Sequence, residues 1–287
     1  MIDFFEHMAL QLNKLTKLPI IGISHTGHLF HDDLKKWNSI SLKDQISHKI
    51  KYIEKNLMND PDLAKVVHQD QQLNLILIGH SIGCYVILEL LGSINPEMKS
   101  NIKKAILLFP TVERMAVTPN GKILTFITKF FLWFVHFFSY LLTLLPDFLH
   151  THLVDLFFTK RHENYVKKNN DGLVHNASGV VSKMCRTYSC AKSCLTMAKD
   201  EMDQVKELNR DLIAEHKELL LFYYGTIDRW CPISYYYEMR DFINEDDNKM
   251  QNVILDSHGM EHSFILFEKQ SNIISNLIHE WIKKLGL

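Results

Sequence analysis

"LNLILIGHSIGCYVILELL", residues 73–91, joins one apolar run to Gly79-His80-Ser81-Ile82-Gly83 and continues as a second. The chain has only 11 glycines, and two of them flank this serine. The first run, 73–78, has the length and composition of a buried strand, and 82–92 is long enough for a helix. A strand that enters a helix through G-x-S-x-G must bend sharply. Glycines remove the side chains that would collide, and the serine is forced to the tip of the bend. Its hydroxyl then stands over the positive end of the helix dipole, with the Ile82 backbone N–H placed to donate to an oxyanion. By chance alone the pattern arises in about one chain of this length in ten, given usage of Gly and Ser near 7%. Its place between strand and helix therefore carries the reading. The competing reading is a tight turn whose glycines serve packing only.

The rhythm continues on both sides. Residues 3–17 have helical periodicity through Phe4, Phe5, Met8, Leu12 and Leu15, and "LPIIGIS" (18–24) reads as a buried strand. A helix over 41–57 follows, with Leu42, Ile46, Ile50, Ile53 and Leu57 at helical spacing. Beyond the serine turn come "KKAILLFP" (103–110), "ELLLFYYG" (218–225) and "NVILD" (252–256) as strands, with helices over 232–243 and 270–284. Apolar strands alternating with helices predict an α/β fold, a mostly parallel sheet covered by helices. Residues 111–215 interrupt that rhythm. The expected organisation is 1–110 as the first part of the core, 111–215 as an inserted helical cap, and 216–287 as the remainder of the core.

Composition narrows the function. At 287 residues, 46% apolar and 23% charged, the chain can bury a large core. A net charge of −1 leaves no electrostatic footprint for nucleic acid. Five cysteines, an odd number, suggest reduced thiols. Cys185, Cys190 and Cys194 cluster without a C-x-x-C pair, so no metal site is expected there. "MIDFFEHMAL" carries Asp3 and Glu6 where a signal peptide needs a basic start and a clean apolar run, and the sequon Asn176-Ala177-Ser178 reads as accidental. No P-loop, dinucleotide glycine fingerprint or His-Glu-x-x-His is present, so no cofactor is implied.

Within the insert lies "ILTFITKFFLWFVHFFSYLLTLLP", 123–146. Its charge-free part, Phe130–Leu145, is about 24 Å long as a helix, short of the ~30 Å hydrocarbon core of a bilayer. Lys129 and Pro146 close its ends, and a second apolar segment, 147–158, follows. A buried cap helix and an apolar wedge lying in a lipid surface both fit the composition. The wedge is preferred, because a helix apolar on nearly every side needs partners on every side. Phe130, Phe131, Trp133, Phe134, Phe137, Phe138, Leu141 and Leu142 are its candidate lipid-binding residues.

A serine nucleophile needs a base, and the base an orienting carboxylate, in the chain order Ser, acid, His. Asp228 follows the strand ending at Gly225, at the sheet end where sites of open α/β folds collect. It is preferred to Glu113, which follows the preceding strand. His262 and His258 both lie in "DSHGMEHSFILF" (256–267) after the last strand. His262, farther from the strand end, is preferred because its ring can swing over the sheet edge. His80, beside the serine, reads as a packing or hydrogen-bonding residue.

These residues carry a specific resemblance. "LILIGHSIGCY" (75–85), "LLFPTVERMAVTPNGKILT" (107–125) and "FYYGTIDRWCP" (222–232), with "GISHTGH" (22–28) earlier and "HSF" (262–264) at the end, resemble the lipid droplet-associated hydrolase family of the α/β-hydrolase superfamily. The resemblance implies a Ser81–Asp228–His262 triad and a lipid-ester substrate, sterol esters included. It also implies residence on lipid droplets and the cytosolic face of the endoplasmic reticulum, held by the apolar insert. In that family leading strands and a Gly-Asn-Pro-Gly-like oxyanion loop precede the first helix. Here the sequence opens at Met1 on that helix, so leading strands are expected to be missing, a sheet edge exposed and activity reduced. Losing one oxyanion donor typically costs about 2.7–4 kcal/mol of transition-state stabilisation. Two other functions fit the same residues: a droplet-binding protein with a weak or inactive triad, and a thioesterase or acyltransferase.

Overall fold

The computed structural model describes residues 2–28, 40–57, 73–169, 171–174, 177–244 and 252–286. Along these run α1 (Ile2–Thr16), α2 (Leu42–Tyr52, extended by a π-helical turn Ile53–Leu57), β1 (Leu75–His80), α3 (Ile82–Ser93), α4 (Pro96–Ser100) and β2 (Ile102–Leu108). The middle is helical: α5 (Pro119–Phe130), α6 (Leu132–Thr143), α7 (Asp147–Asn169), α8 (Ala177–Arg186), α9 (Tyr188–Gln204) and α10 (Arg210–His216). β3 (Leu220–Tyr224), α11 (Ile233–Asn244), β4 (Val253–Leu255) and α12 (Glu268–Lys284) close the chain.

The four strands form one parallel sheet in the order β1-β2-β3-β4, with Gly79 opposite Leu107, Leu107 opposite Phe222 and Phe222 opposite Val253. β2 and β3 are inner strands, and every residue of β3 is buried. β1 has a single neighbour among the described residues and stays half-buried but for Gly79. Its sequence, as apolar as that of β2, predicts full burial; an edge position removes the neighbour that would provide it. Segment 18–24, expected as a buried strand, forms none: Pro19–Gly22 are exposed and make no ladder. A strand exists only through its pairing, and apolar composition supplies none.

Residue contacts divide the chain into two compact units: residues 41–127 with 197–262, and residues 1–40 with 128–196 and 263–287. The expected boundaries at 111 and 215 therefore shift. Residues 111–127 stay with the sheet because Met115, Ala116 and Leu124 share a core cluster with Leu42, Ile82 and Val86, and Met197, Met202 and Val205 return to that same cluster. In this unit α3 packs on β1 and β2, flanked by α2 and α10, and α11 packs on β4. A capping box starts α2: the Ser41 hydroxyl accepts from Asp44 N at 3.2 Å and the Asp44 carboxylate accepts from Ser41 N at 3.1 Å. In the other unit α1 pairs with α12, and α6 and α7 both rest on α8.

The two glycines of the serine turn are not equivalent. A Cβ on Gly79 would lie 2.8 Å from the Gly83 carbonyl and 2.8 Å from Ile87 Cδ1, whereas one on Gly83 would meet nothing within 4 Å. Only Gly79 is required for close approach. Gly79→Ala should lower the melting temperature, by about 1–3 kcal/mol of overpacking. Gly83→Ala, in the first turn of α3, should leave it unchanged or raise it, since Gly in a helix is about 0.5–1 kcal/mol worse than Ala. Equal losses in both variants would contradict this asymmetry.

Candidate active site

Ser81 lies between β1 and α3 with φ 55° and ψ −124°, a conformation that costs a non-glycine residue on the order of 1–3 kcal/mol. Its surroundings hold it there. Its N–H donates to the Leu108 carbonyl at the end of β2, 3.0 Å away, and its carbonyl accepts from Cys84 N at 2.9 Å. Ile82 is the first residue of α3, so its N–H belongs to the set that helix geometry leaves without an intrahelical acceptor.

Asp228 stands in the turn after β3. Gly225 lets that strand end pass Phe109, because a Cβ there would come within 2.6 Å of the Phe109 ring. The Asp228 carboxylate is fully buried. Its Oδ1 accepts from Trp230 N at 2.7 Å and Cys231 N at 3.3 Å, and its Oδ2 from the Cys231 thiol at 2.9 Å and His262 Nδ1 at 2.6 Å. His262 Nε2 lies 2.8 Å from Ser81 Oγ. A carboxylate on Nδ1 fixes the proton there, so Nε2 is left to accept from the hydroxyl. The imidazole is held among aromatic rings, with centroids of Phe109 at 6.0 Å and Trp230 at 6.2 Å.

Burial pushes the Asp228 carboxyl up, but the His262 bond, the His262 charge, the Cys231 thiol and the Trp230 N–H outweigh it and hold the group below its ordinary 3.8. A carboxyl lowered by folding stabilises the native state above its unfolded pKa, and that contribution disappears as pH falls through the folded value. The melting temperature should therefore drop below about pH 4, and drop less in Asp228→Asn. The same acid loss in both proteins would show that Asp228 is not the linked group.

Asp228, Cys231 and His262 also place one potential metal-ligand atom each within 4.8 Å of one another. The 2.6 Å between Nδ1 and Oδ2 is a hydrogen-bond distance, shorter than the ~3.3 Å between ligands of a tetrahedral zinc with bonds of ~2.0–2.1 Å. The geometry is that of a proton-linked trio. Of the competing residues, Glu113 is buried and paired with Arg114 at 2.7 Å. His258 gives its backbone N–H to Asp256 Oδ1 at 2.9 Å, and neither bond reaches Ser81.

The sequence reading passes over Asp256, Tyr223 and Cys231, yet they organise the loops, and His80, expected to pack or hydrogen-bond, bonds the His262 main-chain oxygen. Buried Asp256 accepts from the Tyr223 hydroxyl at 2.7 Å and from Met260 N at 2.7 Å, fixing the turn that leads to His262. Its available signal was an aspartate at a strand's C-terminal end followed by Ser-His-Gly, a turn-forming pattern.

The apolar insert is not one helix. It breaks at Phe131, whose φ of −125° and ψ of 8° interrupt the helical run between α5 and α6. No single helix among the described residues is long and apolar enough to cross a membrane. No residue of the 12-residue α6 is buried: Trp133, Phe134, Phe137, Phe138 and Leu141 are exposed and Leu142 is half-buried, and Phe130 and Phe131, just before the helix, are exposed as well. Trp133 is 69% exposed. α7 adds Phe148, Leu153, Leu156 and Phe157, with Phe148 at 76% and Phe157 at 68%. This stripe falls in the second apolar segment, 147–158, that the sequence shows. The sequon residue Asn176 lies outside the described residues.

A parallel sheet, a Gly-x-Ser-x-Gly bend from strand to helix, and an aspartate and a histidine brought in that order by later strand ends define an α/β-hydrolase. The chain belongs to the lipid-droplet associated hydrolase family, whose model matches residues 1–265. A lipid droplet-associated hydrolase of Gallus gallus is 30% identical over 98% of this chain and 79% of its own length. One of Drosophila melanogaster is 32% identical over 93% and 81%, and one of Homo sapiens 28% identical over 98% and 82%. Among solved structures, a serine hydrolase of the bacterium Cycloclasticus zankles covers 98% of this chain and 84% of its own at 14% identity and a TM-score of 0.49. That likeness is too loose to carry the fold, which rests on the sheet order and the serine bend.

Proposed function

We propose that this chain is a serine hydrolase of lipid esters that works at a lipid-droplet surface. The observation that carries the proposal is the unbroken chain of hydrogen bonds from Ser81 Oγ through His262 to Asp228, at 2.8 and 2.6 Å. Ser81 Oγ attacks the ester carbonyl while His262 Nε2 takes its proton. Asp228 holds the ring and balances the imidazolium charge. The tetrahedral oxyanion accepts from Ile82 N–H. The C–O bond to the alcohol then breaks, His262 returns the proton to the departing alkoxide oxygen, and the acyl group stays on Ser81. Water, deprotonated by the same ring, adds to the acyl carbonyl, and collapse of that intermediate frees the carboxylic acid and restores the serine.

The lipid droplet-associated hydrolases among its relatives and the exposed aromatic faces of α6 and α7 support a lipid surface as the place of work. The proposal extends to sterol esters as substrates and to the cytosolic face of the endoplasmic reticulum, as the resemblance implies. Fatty-acid release from emulsified cholesteryl oleate and trioleoylglycerol, measured beside Ser81→Ala, tests it. Release that the substitution abolishes is expected. No release from either emulsion, with the protein folded, would sink the lipid-ester reading. Transfer of the acyl group to an added alcohol with no free acid would move the chain to the acyltransferases.

A further inference from the structure

His80 is the last residue of β1 and the immediate neighbour of Ser81. Its Nε2 lies 2.8 Å from the main-chain oxygen of His262. A carbonyl only accepts, so Nε2 carries the hydrogen and donates. The two rings lie 5.1 Å apart, centroid to centroid. We infer that His80 is a positioning residue that ties the backbone of His262 to the strand bearing the nucleophile. The inference rests on Ser81, His262 and Asp228 acting as proposed above.

The need for such a tie follows from the chain path. β4 is only three residues long, and His262 stands well beyond its end. Asp256 anchors the intervening turn through His258 N and Met260 N; past Met260, the His80 bond fixes the peptide of His262 itself. A displacement of about 1 Å at a reacting group can cost on the order of 10²-fold in rate, and the Nε2 to Oγ distance inherits any drift of that peptide. The donor must also be neutral, because a second positive charge 5.1 Å away would oppose formation of the His262 imidazolium. Burial first, and then His262 itself, hold the His80 ring down to about 3, so at neutral pH it is an uncharged donor. The motif position between glycine and serine thus gains a task that neither the bend nor the nucleophile requires.

The test compares His80→Gln, whose amide nitrogen takes the place of Nε2, with His80→Phe, a ring of similar volume without a donor. Three quantities are read: the rate of Ser81 labelling by a fluorophosphonate, kcat and KM on a soluble p-nitrophenyl ester, and the melting temperature. His80→Phe should slow labelling and kcat about 10–100-fold with KM within two-fold, and His80→Gln should recover most of both. Should His80→Phe fail to fold, His80→Met supplies the donor-free comparison. A donor-free variant as fast as the parent protein, or His80→Gln as slow as it, overturns the inference while leaving the triad standing. Absence of labelling in the unsubstituted protein overturns the triad reading, and this inference with it.

Discussion

Replacing Ser81 with alanine is expected to reduce ester hydrolysis by a factor on the order of 10⁴–10⁶, the loss usual when one member of a Ser-His-Asp unit is deleted. The fold should survive. Alanine keeps the Cβ of serine, so the strain at φ 55° is unchanged, and the main-chain bonds to Leu108 and Cys84 do not involve the hydroxyl. What disappears is the oxygen 2.8 Å from His262 Nε2. The measurement is the initial rate on a soluble p-nitrophenyl ester, with the melting temperature as the control for folding. A variant that keeps a tenth or more of the activity would assign hydrolysis to a different group.

The second large effect concerns the lipid surface. Phe131, Trp133, Phe137 and Leu141 are 46%, 69%, 52% and 39% exposed on and beside α6. Fully burying a large apolar side chain is worth about 1.5–3 kcal/mol. At the low end, as suits side chains already partly covered, four together contribute about 6 kcal/mol to adsorption. Changing all four to serine should weaken partition onto triacylglycerol droplets coated with phospholipid about 10⁴-fold, seen as loss of the protein from the floating fraction. Hydrolysis of a soluble ester should stay within two-fold, because the triad's bonds are made by Ser81, His262 and Asp228 themselves. Flotation that survives the four changes would place the lipid contact elsewhere, with the α7 stripe of Phe148 and Phe157 the next face to test.

The serine bend was legible because three local signals agree there: an apolar strand, a glycine that admits close approach, and an apolar helix. Such agreement fixes an element without tertiary information. Where only one signal was present the reading failed. Segment 18–24 is apolar, but it pairs with no strand among the described residues. The charge-free helix expected over Phe130–Leu145 does form, as Leu132–Thr143, after a break at Phe131. Gly83 matches the motif without the steric need that Gly79 has. The order Ser81, Asp228, His262 came from the spacing of residues after successive strands, and the structure brings those three side chains together. The supporting contacts of Asp256, Cys231 and His80 were beyond reach, since each depends on distances between loops that sequence separation does not reveal. His80 shows this most clearly, its partner lying 182 positions away in the chain.

Everything functional depends on whether Ser81 is an activated nucleophile. The most direct measurement is mass spectrometry of the folded protein after exposure to a fluorophosphonate, with peptides mapped across the chain. One adduct, on the peptide containing Ser81, abolished by heat unfolding and strongly reduced in His262→Ala, is the predicted result. A folded protein that takes up no label at Ser81, or takes it up equally without His262, would contradict the account.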